Sequence, residues 1–283
     1  MESLKWIMGY LKYHIPKYSI ALILVLITSL LSMINPFLAG DIVDRVLNGN
    51  EKNILIPILI IMLVVVVIKG ILTYTYQMIF ERVSQDILLN IRKDLYSKLL
   101  KLDFDYYNNT KTGDIMARMT GDTDALRHFI AWVVYNILSN LSVFIFAIIS
   151  MAIVSLPLTL FMLAICPIIA IITIKMGVQI SPTFYNIREA YSRLNSVTQE
   201  NISGNRVVKA FSREDYEIEK FNKENLNYKE KNMDTTKIIG KYMPVLEYLS
   251  SFLSIIMILV GGILVINKSM TLGDLVIFNG LLW

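Results

Sequence analysis

Long apolar runs recur along this 283-residue chain and alternate with polar segments. A transmembrane helix needs about 20 mostly apolar residues to cross roughly 30 Å of hydrocarbon. Five runs reach that length: 18–39, 54–80, 129–154, 156–178 and 242–266. A sixth run, 272–283, is too short to cross, so we expect the sequence to stop inside a sixth helix. The pattern predicts an all-α membrane protein.

Two polar segments, 81–128 and 179–241, continue the helical periodicity of the apolar runs beside them. Neither Gly nor Pro interrupts the chain from Ile71 to Leu102, and an apolar residue recurs every three or four positions from Leu88 onward. A helix continuous from residue 54 to residue 102 would be about 70 Å long. Solvated helices are one interpretation. Because apolar stripes need a partner, we favour long arms that pack together.

Basic residues fall mainly on one side of the predicted spans. Of the 27 Lys and Arg residues, 23 lie in 1–17, 82–127 or 175–241. Since loops rich in Lys and Arg stay in the cytoplasm, we predict a cytoplasmic amino terminus, cytoplasmic arms and a multi-pass protein of the plasma membrane. Anionic lipid of the inner leaflet, and not nucleic acid, accounts for the net charge of +4.

A distinctive pattern lies in the middle of each polar segment. The first comprises Phe104-Asp105-Tyr106-Tyr107, Thr112-Gly113-Asp114, Arg118 and Thr120-Gly121-Asp122-Thr123-Asp124. It resembles the first intracellular loop of the ABC exporter transmembrane domain, where an aromatic pair precedes a Thr-Gly-acidic step, an Arg and an Asp-rich turn. The second comprises Gln199-Glu200-Asn201-Ile202-Ser203-Gly204-Asn205-Arg206 and Val207-Val208-Lys209-Ala210-Phe211-Ser212-Arg213-Glu214, and it resembles the second loop of that family.

The resemblance implies a six-helix domain whose second to fifth helices extend into the cytoplasm. It also implies two short coupling helices, at about 106–116 and 211–221, that dock on nucleotide-binding domains. The residues expected to couple to those domains are Phe104, Tyr106, Tyr107, Thr112, Gly113, Asp114, Arg118, Phe211, Arg213, Glu214, Tyr216 and Phe221. The expected partners are a nucleotide-binding domain, in cis or in trans, and a second transmembrane domain, as a homodimer or a heterodimer.

Exposed aromatic side chains at the end of a lever suit an interface, because they bury a large area at a modest cost in entropy. Phe104 and Phe211 would lie about 25 Å or more from lipid if the arms are straight. In the alternative interpretation, the tip aromatics pack within the arms and cap the bundle. In both cases Arg213 and Glu214 are expected to be charges at the rim and not catalytic groups.

No phosphate-binding loop of the form Gly-x-x-x-x-Gly-Lys-Ser/Thr occurs in the sequence. We therefore expect no catalytic residue, cofactor or metal in this chain, and we assign His14 and His128 to the headgroup region. The resemblance implies that ATP and Mg bind a nucleotide-binding domain missing from the chain, which we expect to be a truncation or fragment. The hydrophobic content of 55% and mean hydropathy of +0.55 agree with a bilayer environment.

Polar side chains within spans are candidates to line a transport path, because they are costly in lipid and usually face a cavity or a partner. The polar candidates are Lys69, Asn136, Asn140 and Glu247, and Trp132 is a candidate for an apolar surface that binds amphipathic substrates. Snorkelling to the interface is the alternative for Lys69 and Glu247, and simple packing is the alternative for Trp132. Pro167 is expected to kink the fourth span.

The leading hypothesis from these features is an exporter subunit that moves amphipathic small molecules, lipids or peptides by alternating access. Two copies of the domain would enclose a cavity, and closure of attached nucleotide-binding domains would pull the arms together. A non-transporting membrane scaffold or regulator with the same fold is one alternative. An importer of the same fold is another.

Overall fold

The computed structural model describes residues 2–49 and 51–282, and these residues form helices joined by short turns. The first seven α-helices are α1 Glu2–Leu11, α2 Ile15–Leu31, α3 Ile34–Asp41, α4 Leu55–Leu99, α5 Phe104–Asn109, α6 Thr112–Ala117 and α7 Thr123–His128. The next six are α8 Val134–Val154, α9 Leu156–Leu163, α10 Cys166–Ser203, α11 Asn205–Ala210, α12 Glu214–Ile266 and α13 Leu272–Leu282. Short π-helical segments at Ile42–Asn48, Arg118–Asp122 and Phe129–Val133 connect some of them.

Five helical stretches are long and apolar enough to cross a membrane: Trp6–Asn48, Lys52–Leu99, Thr112–Val154, Leu156–Ser203 and Glu214–Ile266. The 11-residue helix α13 is a shorter apolar helix. No strand occurs among the described residues. This is the architecture of an all-α, multi-pass membrane protein, as predicted.

The two longest helices run well beyond any bilayer. Helix α4 has 45 residues and α12 has 53, which correspond to about 68 and 80 Å at the rise of an α-helix. The continuous helix predicted for residues 54–102 is therefore found as α4, which begins at Leu55 and ends at Leu99.

Proline marks the interruptions in two other stretches. The first apolar run breaks between α2 and α3, where the ring of Pro36 conflicts with the carbonyl of Ser32, four residues earlier. Instead of the expected kink at Pro167, the chain leaves the helix at 164–165 and starts α10 with Pro167 in its first turn. At that position the missing N–H has no helical partner to lose.

The chain divides into two compact units, 1–156 with 261–283 and 157–260. The core of the first unit joins α2 to the middle of α4 through an apolar stripe on each helix. Phe80 is fully buried there, and its ring packs edge-on against Tyr18 with centroids 4.9 Å apart. The other buried members are Ala21, Val25, Tyr76, Val83, Ile87, Ile91 and Ile130. Further along α4, Leu95 and Leu99 are only half-buried, so the apolar stripe becomes more exposed to solvent towards the end of the arm.

At the other end of the first unit, α3 and α13 approach so closely that only glycine fits. A Cβ on Gly40 would lie 2.5 Å from Cγ1 of Ile277, and one on Gly280 would lie 3.0 Å from Cβ of Pro36. Gly273 donates its backbone N–H to Oδ1 of Asp44 at 2.8 Å, and Thr271 donates its hydroxyl to the same carboxylate.

The second unit contains an antiparallel hairpin of α10 and the arm part of α12. Thr235 donates its hydroxyl to Oγ1 of Thr183 at 2.8 Å, and the rings of Tyr191 and Tyr228 lie 5.6 Å apart. Ala190 and Val197, at seven-residue spacing from Thr183, are buried on the same face of α10. This face of α10 forms the packing seam of the arm, and it includes Val197 of the predicted apolar stripe, whereas Tyr191 of that stripe is 51% exposed.

Candidate functional site

The first tip, residues 100–122, is built from two short helices that follow the end of α4. Phe104 opens α5 and is 89% exposed. Tyr107 donates its hydroxyl to the carbonyl of Leu99 at 2.7 Å, and the same carbonyl also accepts the N–H of Leu102 at 3.0 Å. The ring of Tyr106 packs edge-on against Tyr107 with centroids 5.6 Å apart. Two of the three aromatic residues therefore brace the tip, and Phe104 presents a free face.

The remaining predicted residues of the first tip lie on α6 and its extension. Thr112, Gly113 and Asp114 form the first turn of α6, and Arg118 begins the π-helical segment that follows. All four are exposed. They form a polar surface, and none of them contributes to the core.

The second tip, residues 204–221, turns through a residue in the left-handed conformation. Ser212 has φ of 51°, its N–H bonds to the carbonyl of Lys209, and the next N–H, of Arg213, bonds to the carbonyl of Val208. This is the pattern that ends a helix at a residue usually occupied by glycine. Phe211, just before the turn, is 74% exposed.

Two adjoining grooves bring the predicted residues of the second tip together. The first has a volume of about 430 Å³ and is lined by Val207, Val208, Phe211, Arg213, Tyr216 and Glu217. The second has a volume of about 330 Å³ and is lined by Asn201, Asn205, Val208, Glu214, Glu217, Ile218 and Phe221. Each of the five predicted residues of this tip therefore lines one of two largely apolar grooves, which share Val208 and Glu217.

The predicted positions of the coupling helices need correction. The expected helix at 106–116 is two helices, because the chain is extended at Thr110 and Lys111. The expected short helix at 211–221 is wrong: the short helix is Asn205–Ala210, and 214–221 is the start of α12. The left-handed Ser212 ends the short helix, and the acidic first turn of α12 favours a new helix start after it.

An ion pair beside the grooves joins the two helices of the second arm. Nζ of Lys220 donates to Oε2 of Glu200 at 2.7 Å, and this hydrogen bond raises the pKa of Lys220. Oε2 of Glu217, which lines both grooves, lies 4.0 Å from the same ammonium group. The tip thus combines an apolar surface with fixed charges at its edge.

A charged cluster on the first arm was not predicted from the sequence. Arg127 donates to Oε1 of Glu81 at 2.8 Å and lies 3.5 Å from Asp124. Arg92 donates to the hydroxyl of Thr123 at 3.2 Å and lies 3.6 Å from Asp124. The cluster ties α7 to α4. The Asp-rich turn was the only sequence signal, and the spacing of 46 residues between Glu81 and Arg127 carries no periodicity that could reveal their contact.

The candidate path residues occupy two places in the first unit and one in the second. Trp132, Asn136 and Asn140 follow one another at four-residue spacing on one face, and Asn136 donates to the carbonyl of Trp132 at 2.9 Å. Trp132 is 51% exposed and Asn140 is exposed. Lys69 is half-buried on α4, and Glu247 is exposed on α12. In the described chain, no three His, Cys, Asp or Glu residues form a group that could hold a metal ion.

Residues 18–282 match the family model described as the ABC transporter transmembrane region. The chain is 30% identical over 290 residues to the uncharacterized ABC transporter ATP-binding protein YknU of Bacillus subtilis, covering 100% of the chain and 49% of that protein. It is 28% identical to the ATP-dependent lipid A-core flippase of Desulfotalea psychrophila, covering 94% of the chain and 46% of the flippase.

A third relative is the multidrug resistance-like ATP-binding protein MdlA of Buchnera aphidicola (strain Sg). It is 30% identical over 282 residues, which are 98% of the chain and 48% of that protein. The chain thus spans about half the length of the curated relatives it matches.

Proposed function

This chain belongs to the ABC transporter transmembrane family, and on that premise we propose that it forms the substrate path of an ATP-driven exporter that works by alternating access. It is an exporter transmembrane domain homologous to multidrug and lipid flippase ABC proteins. In the proposed mechanism, ATP and Mg bind a nucleotide-binding domain in cis or in trans. Closure of that domain moves the arms, and the arms move the spans.

The observation that carries this proposal is the pair of exposed phenylalanines at the tips. Phe104 is 89% exposed and Phe211 is 74% exposed, and neither is needed to close the tip on which it stands. An apolar side chain held in water at the end of a long helix gains free energy when a partner covers it. The grooves beside Phe211 add shape to that surface, with Arg213 and Glu214 at its edge.

A second transmembrane domain is the other partner that we propose. Only 11 to 28% of the residues in the five apolar windows are buried within the chain, so most of this surface is left for lipid or for another protein. Trp132, Asn136 and Asn140 would contribute a mixed aromatic and amide surface to a cavity between two domains, and Lys69 and Glu247 would bias the charge of the cargo. We propose amphipathic cargo, since relatives are named for multidrug resistance and for lipid A-core flipping.

Orientation follows from the same proposal. The arms must lie on the side where ATP is available, so the amino terminus and both tips are placed in the cytoplasm of a cell whose plasma membrane the chain spans. The density of Lys and Arg on that side supports this orientation.

Replacing one tip phenylalanine tests the coupling directly. In vesicles that contain the transporter assembled with its nucleotide-binding domain, we expect Phe211→Ala to lower ATP-dependent uptake of a fluorescent amphiphile about tenfold or more, because central aromatic contacts often carry at least 2 kcal/mol. Vanadate-sensitive ATP hydrolysis should lose its stimulation by the amphiphile. Phe184→Ala is the matched control, because Phe184 is also exposed but lies on α10 away from the tip.

Equal uptake by Phe211→Ala, Phe104→Ala and the control would contradict coupling through the tips. If the wild type hydrolyses ATP but takes up no amphiphile, and the amphiphile does not change its ATP hydrolysis, the scaffold hypothesis is favoured. If the wild type moves the amphiphile in the opposite direction, the importer hypothesis is favoured.

A further inference from the structure

A groove with a volume of about 450 Å³ lies between the start of α2 and the middle of α4. Lys17 of α2 lines it together with Ile79, Val83 and neighbouring polar residues of α4. Val83 is buried and Ile79 is half-buried against the core of the first unit, so the floor of the groove is apolar. A volume of this size is typical of sites for small ligands, which combine an apolar lining with a few polar groups.

The groove lies at the level where two apolar spans end. Lys17 directly precedes the first apolar run, and Arg82 lies just after the second. The rings of Tyr18 and Phe80 are 4.9 Å apart, so the ends of these two runs meet at the same height. In a bilayer the groove is therefore at the height of the lipid headgroups, on the side where the arms begin.

Four charged side chains line the groove, and three of them are free to bind a ligand. Glu81 already accepts a hydrogen bond from Arg127 at 2.8 Å. Lys17, Arg82 and Asp86 are exposed, and they form no ion pair with one another or with any other described residue. The groove thus offers two free cations and one free carboxylate.

This set of charges fits a zwitterionic headgroup better than a purely anionic one. Ammonium and guanidinium groups bind phosphate, whereas a carboxylate beside them repels a negative charge and attracts a positive one. Arg82 and Asp86 lie four positions apart on one face of α4, so a single headgroup can reach both side chains. A primary ammonium group has three N–H donors for a carboxylate, and a quaternary ammonium group has none.

The surface of the spans beside the groove is apolar and uncovered. Ile20, about one turn after Lys17 on α2, is 54% exposed, and Ile71, about two turns before Ile79 on α4, is 60% exposed. The acyl chains of a lipid whose headgroup occupies the groove would lie along this surface. The apolar surface therefore favours a membrane lipid over a phosphate compound in solution.

We propose that the groove between α2 and α4 is a binding site for phosphatidylethanolamine, a lipid whose headgroup carries a phosphate and a primary ammonium group. Lys17 and Arg82 bind the phosphate, and Asp86 accepts an N–H of the ammonium group. The bound lipid connects the start of the first span to α4. This site belongs to the spans, and it does not depend on whether the arms couple to ATP hydrolysis.

Lipid binding to the purified protein in detergent tests this site. Mass spectrometry of the intact protein counts the bound lipids at equal concentrations of dioleoyl phosphatidylethanolamine, its N,N-dimethyl derivative, phosphatidylcholine or phosphatidylglycerol. We expect phosphatidylethanolamine to bind about tenfold more tightly than phosphatidylcholine, because methylation removes the N–H donors of a charge-assisted hydrogen bond. The affinity of the dimethyl derivative should lie between the two.

Substitutions in the groove separate the two halves of the headgroup. Asp86→Asn should remove the preference for phosphatidylethanolamine over phosphatidylcholine and strengthen the binding of phosphatidylglycerol, because the repelling carboxylate is lost. Arg82→Gln should weaken the binding of both zwitterionic lipids by a similar factor, since both carry the phosphate. Glu230→Gln and Arg188→Gln are the matched controls, because both side chains are exposed and belong to the second unit. Helical circular dichroism verifies that each variant is folded.

Three results would contradict the proposal. The first is equal binding of phosphatidylethanolamine and phosphatidylcholine to the wild type, or a preference that Asp86→Asn retains. The second is tighter binding of phosphatidylglycerol than of phosphatidylethanolamine, which would assign the two cations to anionic lipid. The third is competition by glycerophosphoethanolamine at the same concentration as the lipid, which would assign the groove to a headgroup compound in solution.

Discussion

At the scale of single residues, the contact between α3 and α13 depends on the absence of side chains. The carboxylate of Asp44 accepts hydrogen bonds from the hydroxyl of Thr271 and from the N–H of Gly273, at the amino-terminal end of α13. A negative charge is stabilised at that end of a helix. Thr271 and Asp274 also cap α13 reciprocally, since each backbone N–H donates to the side chain of the other residue.

We expect Gly273→Ala to destabilise this end of the protein by about 1 to 3 kcal/mol, because the new methyl group would overlap the Asp44 carboxylate and the carbonyl of Gly40. The measurement is the midpoint temperature for loss of helical circular dichroism in detergent. Gly70→Ala is the control, since nothing lies within 4 Å of a Cβ at Gly70 and alanine favours a helix. A Gly273→Ala protein as stable as this control would contradict the close approach.

The aromatic residues of the first tip have different structural roles that their residue types alone do not reveal. Their aromatic residues were identifiable from the sequence as unusual in a polar segment. Only the structure separates Phe104, which is 89% exposed, from Tyr107, whose hydroxyl closes the end of α4. The hydrogen-bond partner of Tyr107 lies eight positions earlier, and no pattern of residue types specifies that contact.

At the scale of helices, each arm is held by a few specific contacts in addition to its apolar seam. Thr183 with Thr235 and Glu200 with Lys220 fix the register of α10 against α12. On the first arm, Arg127 with Glu81 and Arg92 with Asp124 tie α7 to α4. These contacts are partly exposed, so they order the helices more than they stabilise the protein.

A double-mutant cycle on Arg127→Gln and Glu81→Gln should give a coupling energy of about 0.5 to 1 kcal/mol, which salt reduces. The control pair is Arg193 with Glu189, which has the same 2.8 Å separation within one helix. Both side chains of the control pair are more than half exposed, and they lie four positions apart on one helix. We therefore expect a coupling energy of about 0.3 to 0.5 kcal/mol for this pair. Chemical unfolding in detergent measures both cycles. A smaller coupling at Arg127–Glu81 than at the control would show that the first arm is not held there.

At the scale of the whole molecule, the chain offers more apolar surface than it buries. In each of the five apolar windows at most 28% of the residues are buried within the chain. In a soluble protein, by contrast, such apolar residues form a closely packed core. Lipid, a second transmembrane domain and cargo are the partners that we propose for this surface. Among the spans, the face with Trp132, Asn136 and Asn140 has the polar character that lipid disfavours.

If that face lines the transport path, Asn140→Leu should change the half-saturating concentration of a transported amphiphile by about threefold to tenfold, because one polar contact is worth about 0.5 to 1.5 kcal/mol. Concentration-dependent uptake into vesicles measures this effect. Ile149→Ala is the control, since Ile149 is exposed on the same helix but, nine positions after Asn140, projects from the opposite side of that helix. Equal shifts for the two variants would indicate packing instead of a path.

Apolar periodicity in the sequence by itself determined the number of long helices, the continuity of α4 and the existence of two arms. That information is local, because an apolar run of sufficient length has few stable alternatives to a helix in lipid. The aromatic character of the tips was also evident from the sequence, whereas the kink expected at Pro167 is a break at 164–165 in the structure.

Only the tertiary structure decided which residues of the arms meet and where the second short helix lies. The turn at Ser212, the Arg127–Glu81 pair and the contact of Asp44 with Gly273 depend on atoms brought together by packing. The last of these contacts spans 229 positions of the sequence. The physical reason is that periodicity specifies the face that a helix buries, whereas the depth of packing and the partner are set by the shapes of both surfaces.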